Sequence, residues 1–93
     1  MISHYKTHIV VRDSIEHRLL ASASVRLPRT RRQLLVIAID HGMKLYDDQT
    51  VVTALRRLSG TGLLQANRGG TGALHIYSLT PQGEQVLQAL AQT

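Results

Sequence analysis

A chain of 93 residues has material for one domain with a modest core, because a chain this short buries roughly 60–65% of its unfolded surface, and a multi-step catalytic apparatus is not expected. Phe, Trp and Cys are absent, so the core must be aliphatic, single-stranded bases would find few stacking platforms, and neither a disulfide framework nor a thiolate zinc site is available. Eleven Lys and Arg, of which only Lys6 and Lys44 are lysines, face six Asp and Glu for a formal charge of +5, a balance that favours a polyanionic partner, most often nucleic acid.

Residues 1–12 form an N-terminal arm whose "HIVV" suits either a short strand or the start of a helix. From Asp13 the pattern is helical: Asp13 and Glu16 make a D-x-x-E start, and Ile15, Leu19 and Ala23 fall on one face at i, i+4, i+8. This first helix ends before Pro28. A second helix begins at Thr30, where Thr30 and Gln33 make a T-x-x-Q capping box, and runs to Gly42. Its continuous apolar run, Leu34–Ile39, predicts burial on most sides and a central place in the core.

A third helix is predicted from about Asp48 to Ser59, with Asp47 or Asp48 as N-cap and Val51, Val52, Leu55 and Leu58 facing inward. Its other face carries Gln49, Thr50, Thr53, Arg56 and Arg57. After Gly62 the period becomes extended, and "LLQAN" and "ALHIYSLT" flank "RGGTG", which reads as a β-hairpin with a glycine-rich tip. Thr80 then caps a last helix with Pro81 at its first position and an apolar stripe of Val86, Leu87 and Leu90.

The glycines of the tip do not form a phosphate loop. A Walker loop needs a lysine and a following helix, and Gly72 is followed by Ala73 and Leu74; the dinucleotide fingerprint fails because its third glycine position is His75. They are expected to reverse the chain, leaving Arg68 to project from the end of the hairpin.

Three side-chain groups on these elements suit duplex DNA. Gln49, Thr50 and Thr53, in the first turns of the third helix, are residue types that reach base edges in a major groove. Arg56 and Arg57, further along, suit phosphates. Arg26, Arg29, Arg31 and Arg32 lie before and within the first turn of the second helix, where each cation opposes the helix dipole by about 0.3–1 kcal/mol; a phosphate clamp explains them, and a solvated charge run is the alternative.

Three helices, a polar and basic face on the third, a hairpin and a trailing helix follow the order of a winged helix-turn-helix domain, of α+β class. The string "TVVTALRRLSGTGLL" with the later "YSLTPQG" resembles the recognition-helix and wing region of the MarR and PadR families of winged-helix regulators, with Ala54, Leu55, Leu58, Gly62, Leu63, Leu64, Tyr77, Leu79, Thr80 and Gly83 in the places of A-L-x-x-L, G-L-[ILV] and Y-x-L-T-x-x-G. The resemblance covers about Thr30 to Leu90. It implies a homodimeric, double-stranded-DNA-binding transcriptional regulator, with the third helix in the major groove and the wing on the adjacent backbone or minor groove. Those families fit a helix between the second and third helices named here. In this chain either the 30–41 helix takes the place before the turn, or the missing helix is reduced to "MKLY".

The whole of residues 1–93 is therefore expected to be a single DNA-binding domain, acting as a repressor by occupying a promoter, with the 81–91 helix pairing two subunits. The contacts expected are Arg29, Arg31, Arg32, Gln49, Thr50, Thr53, Arg56, Arg57 and Arg68. Two rival uses are a protein-interaction module and a partition or replication component of a plasmid or phage. No cofactor, metal or membrane partner is expected: His4 and His8 are spaced one turn apart without a third ligand, and "EH" at 16–17 lacks the rest of a zinc motif. No Ser, His and acid trio is apparent, so no enzyme is expected. The opening "MISHYKTHIVVRD" is too weakly apolar for a signal peptide, which makes the cytoplasm, at the nucleoid, the expected location.

Overall fold

Four helix starts organise the chain, each set by a side-chain oxygen that accepts the backbone N–H three residues on. Among residues 9–68 and 75–92, which the computed structural model describes, these are Ser14 to His17, Thr30 to Gln33, Asp47 to Thr50 and Thr80 to Gly83. Each such cap contributes about 1 kcal/mol. They open α1 (Ile15–Ala21), α2 (Arg31–Asp40), α3 (Asp48–Gly60) and α4 (Pro81–Ala91). At Thr30 the capping box is complete, with the Gln33 side chain accepting from the Thr30 N–H at 2.9 Å. At α1 the cap is Ser14 rather than Asp13. Asp13 instead takes a left-handed conformation (φ +64°) and donates its N–H to His17 Nδ1 at 2.8 Å.

Three strands complete an α+β architecture: β1 (Arg29–Thr30), β2 (Leu64–Arg68) and β3 (His75–Leu79), antiparallel in the order β1-β3-β2. The hairpin of β2 and β3 pairs Leu64 with Leu79 and Arg68 with His75; the glycine-rich tip expected between them lies outside the described residues, as does most of the N-terminal arm. Strand β1 has no counterpart in the sequence pattern, since two residues carry no period. It exists because Arg29 and Thr30 come opposite Tyr77 and Ile76.

The core is aliphatic, as composition requires. Leu19, Leu20, Leu34, Val51, Leu55, Leu58 and Leu64 are fully buried, and they come from every layer: α1, α2, α3 and β2. Truncating one of these leucines to alanine costs about 2–5 kcal/mol. Val52, placed inward by spacing, is only half-buried, and Ala54 takes that place.

The second helix departs most from expectation. Only Leu34 and Ala38 of α2 are buried, while Val36 is 61% and Ile39 41% exposed. A single side of α2 packs, against α1 and the sheet, and nothing among the described residues covers the other. The helix ends at His41, and Gly42 follows with φ +103°, a conformation that strains any residue with a Cβ. Residues 43–47 are not helical, so α2 leads directly through the turn into α3 and no helix intervenes.

The Y-x-L-T-x-x-G string has a local physical meaning. The Thr80 hydroxyl lies 2.6 Å from Gly62 O and 3.0 Å from Leu63 O, and the same oxygen accepts the Gly83 N–H at 3.0 Å. Thr80 thus caps α4 and clasps the start of β2. A Cβ on Gly83 would stand 2.2 Å from Leu63 O, so α4 approaches this backbone only because position 83 is glycine. The apolar stripe Val86, Leu87 and Leu90 is half-buried against the chain's own core.

Candidate nucleic-acid interface

Helix α3 presents one polar line to solvent. Val51, Ala54, Leu55 and Leu58 are buried on its inner side, and the opposite positions Gln49, Thr53 and Arg56 are exposed. Their spacing of i, i+4, i+7 sets them in a row about 10 Å long. None of the three side chains makes a hydrogen bond or ion pair among the described residues, so each is available to a ligand.

The other two expected contacts on this helix have structural partners. The Thr50 hydroxyl hydrogen-bonds Asp47 Oδ1 within the cap, which turns it toward the helix start. Arg57 Nη1 meets Glu16 Oε2 at 3.2 Å, across the α1–α3 packing. Glu16 is buried, 8% exposed. It stands in the first turn of α1, as the D-x-x-E pattern suggested, and its carboxylate also reaches inward to Arg57.

The arginines around the α2 start separate in the same way. Arg29 is half-buried in β1 and donates from Nη1 to Ser22 O at 2.7 Å. Arg31 pairs with Asp48, Nη1 lying 3.4 Å from Oδ1, which joins the first residue of α2 to the first residue of α3. These contacts offset part of the dipole penalty on their own. Arg32 is exposed and has no hydrogen bond or ion pair among the described residues.

An open groove of about 650 Å³ runs between these helix starts and β3, lined by Thr30, Arg31, Arg32, Asp48, His75 and Tyr77 among others. Tyr77 was named from sequence only as part of the Y-x-L-T-x-x-G string and His75 only as a break in a glycine pattern, and no spacing placed either one at this groove. The pairing of β3 with β1 carries them to the α2 start. Arg68 ends β2, exposed and opposite His75, so hairpin and groove share one edge of basic and imidazole groups.

A smaller cavity of about 300 Å³ lies between α1 and the end of α2, lined by Asp13, His17, Arg18 and His41 among others. Burial pushes the His17 pKa below the usual histidine value, Asp13 opposing the shift and Arg18 and Arg12 adding to it. The Asp13 N–H donated to His17 Nδ1 requires that nitrogen to be unprotonated. Among the described residues no three His, Asp or Glu side chains come together as a metal site, and no helix is long and apolar enough to cross a membrane. The histidine pair His4 and His8 lies outside those residues. Neither the protein-family models nor the curated proteins contain a match to this chain.

Proposed function

We propose that this chain is a winged-helix protein that binds double-stranded DNA as a homodimer and regulates transcription, repressing by occupying a promoter, at the nucleoid in the cytoplasm. The observation that carries this reading is the row Gln49, Thr53 and Arg56, three unpartnered side chains on the open face of a helix that is otherwise anchored in the core. Gln49 and Thr53 act as base readers, and Arg56 meets a phosphate as the groove wall closes on the helix. Arg31 and Arg32 at the α2 start and Arg68 at the hairpin end supply further cationic reach on either side. The net charge of +5 supports the same partner through counterion release.

A protein-interaction module is the second reading, favoured by Asp47 and Asp48, which put two exposed carboxylates beside Gln49 and would repel a closely tracking phosphate backbone. A gel shift with random duplex DNA at about 50 mM salt, followed by selection of the bound sequences, separates the two. Duplex binding that enriches a two-fold-related site supports the regulator; absence of binding overturns it in favour of the module.

A further inference from the structure

Helix α2 carries an apolar surface that the described residues leave open. Leu34–Ile39 is an unbroken apolar run, which ordinarily belongs to a helix covered all round, yet Val36 is 61% exposed and Ile39 41%. One turn before Val36 stands Arg32 and one turn after it Asp40, both exposed. Neither makes a hydrogen bond or ion pair among the described residues. The outward stripe of α2 therefore reads positive, apolar, negative, and it is symmetric in spacing about Val36.

That pattern is complementary to itself under one symmetry. If two copies of α2 pack antiparallel about a two-fold axis at Val36, Val36 meets its own image, Ile39 widens the apolar contact, and each Arg32 comes opposite the partner's Asp40. A parallel arrangement would set Arg32 against Arg32 and the carboxylates against each other. By contrast, α4 spends Val86, Leu87 and Leu90 on its own core and turns Glu84, Gln85 and Gln88 outward, so it has less apolar surface to offer.

We propose that the open face of α2 is the homodimer interface, with the second copy of this chain as its occupant. The inference deepens the homodimer in the functional proposal and does not depend on DNA being the ligand. A helix of ten residues is about 15 Å long, well short of a standard interface by itself, so the dimer belongs to the small, weak class of contacts. In the dimer Arg32 is engaged by the partner's Asp40, so this interface takes Arg32 out of the cationic reach named in the functional proposal and leaves Arg31 and Arg68 to it.

Sedimentation of the DNA-free protein, from about 1 to 500 micromolar, tests the interface. Val36→Asp, Arg32→Asp and Asp40→Arg should each weaken dimerisation by about tenfold or more, and the double variant R32D/D40R should restore it to within about threefold of the parent. Both charge reversals suit the helix dipole, an acid near its start and a base near its end, so the restoration reports the interface and not helix stability, with circular dichroism as the check on folding. A parent chain that stays monomeric, a V36D variant that assembles like the parent, or a folded double variant that stays as weak as the singles overturns the proposal. Duplex binding by the parent and by V36D, a position outside the proposed DNA contacts, keeps the two proposals apart: a V36D variant that assembles like the parent while the parent binds duplex DNA removes only this interface, and a parent that dimerises through this face but binds no duplex removes only the DNA-binding function.

Discussion

Glu16 and Arg57, 41 positions apart in the chain, meet at 3.2 Å where α1 packs on α3. The pair divides two adjacent arginines between two jobs: Arg57 anchors the helix, and Arg56, one residue away on the outward row, is left for a ligand.

Replacing them one at a time separates these roles. Arg57→Ala should lower stability by about 1–2 kcal/mol, because a buried carboxylate loses a charged hydrogen bond. Arg56→Ala should leave the melting temperature nearly unchanged and weaken duplex binding on all sequences alike, with the salt slope shallower by about one unit per site. Thermal melts and salt titrations on both variants check this.

Gln49→Ala and Thr53→Ala address base reading. Each should weaken binding to the selected site by about 1–3 kcal/mol and leave non-specific duplex binding nearly as it is. Competition between selected and random duplexes measures the difference. Equal affinities for the two variants and the parent on every sequence would remove α3 as the reader.

Asp48→Asn frees Arg31 from its carboxylate partner at 3.4 Å and removes a negative charge beside Gln49. Duplex affinity should rise at low salt, and the magnitude of the salt slope should grow by about one unit per subunit as Arg31 becomes a full phosphate contact. Titrations of the two proteins across a salt series show the sign directly. The protein-interaction reading expects no such gain.

Gly83→Ala tests the close approach of α4 to Leu63. With the added Cβ 2.2 Å from a backbone oxygen, the helix must move, and a loss of about 3 kcal/mol is expected in chemical denaturation. Thr80→Val should lose the cap and the clasp on Gly62 and Leu63 together, costing about 1–3 kcal/mol.

Stability should depend on pH through His17. Its folded pKa lies below its unfolded value, chiefly because of burial, so the unfolded chain binds the proton more readily. The contribution of this group is complete above the unfolded pKa of about 6.5 and falls as the pH drops through the window between the unfolded and folded values. Melting between pH 7 and pH 5 should therefore show a loss that His17→Gln reduces.

Much of this molecule was legible in the chain because the responsible interactions are local. Thr30 with Gln33, Asp47 with Thr50 and Thr80 with Gly83 act over three residues, and the antiparallel pairing of β2 with β3 follows from two extended runs on either side of a glycine-rich segment. Helical period likewise put Gln49, Thr50, Thr53, Arg56 and Arg57 on the outer face of α3, and the partners of Thr50 and Arg57 narrowed them to the row Gln49, Thr53 and Arg56. The tertiary structure alone decided what depends on elements distant in sequence. It put Ser14 rather than Asp13 at the α1 cap, drew Glu16 inward to Arg57, and set Arg31 against Asp48 and Arg29 against Ser22. It formed β1 only by the arrival of β3, and left one side of α2 without a cover among the described residues. Periodicity states which side chains share a face; only the packing of one element on another determines whether that face meets the core, a counter-charge or solvent.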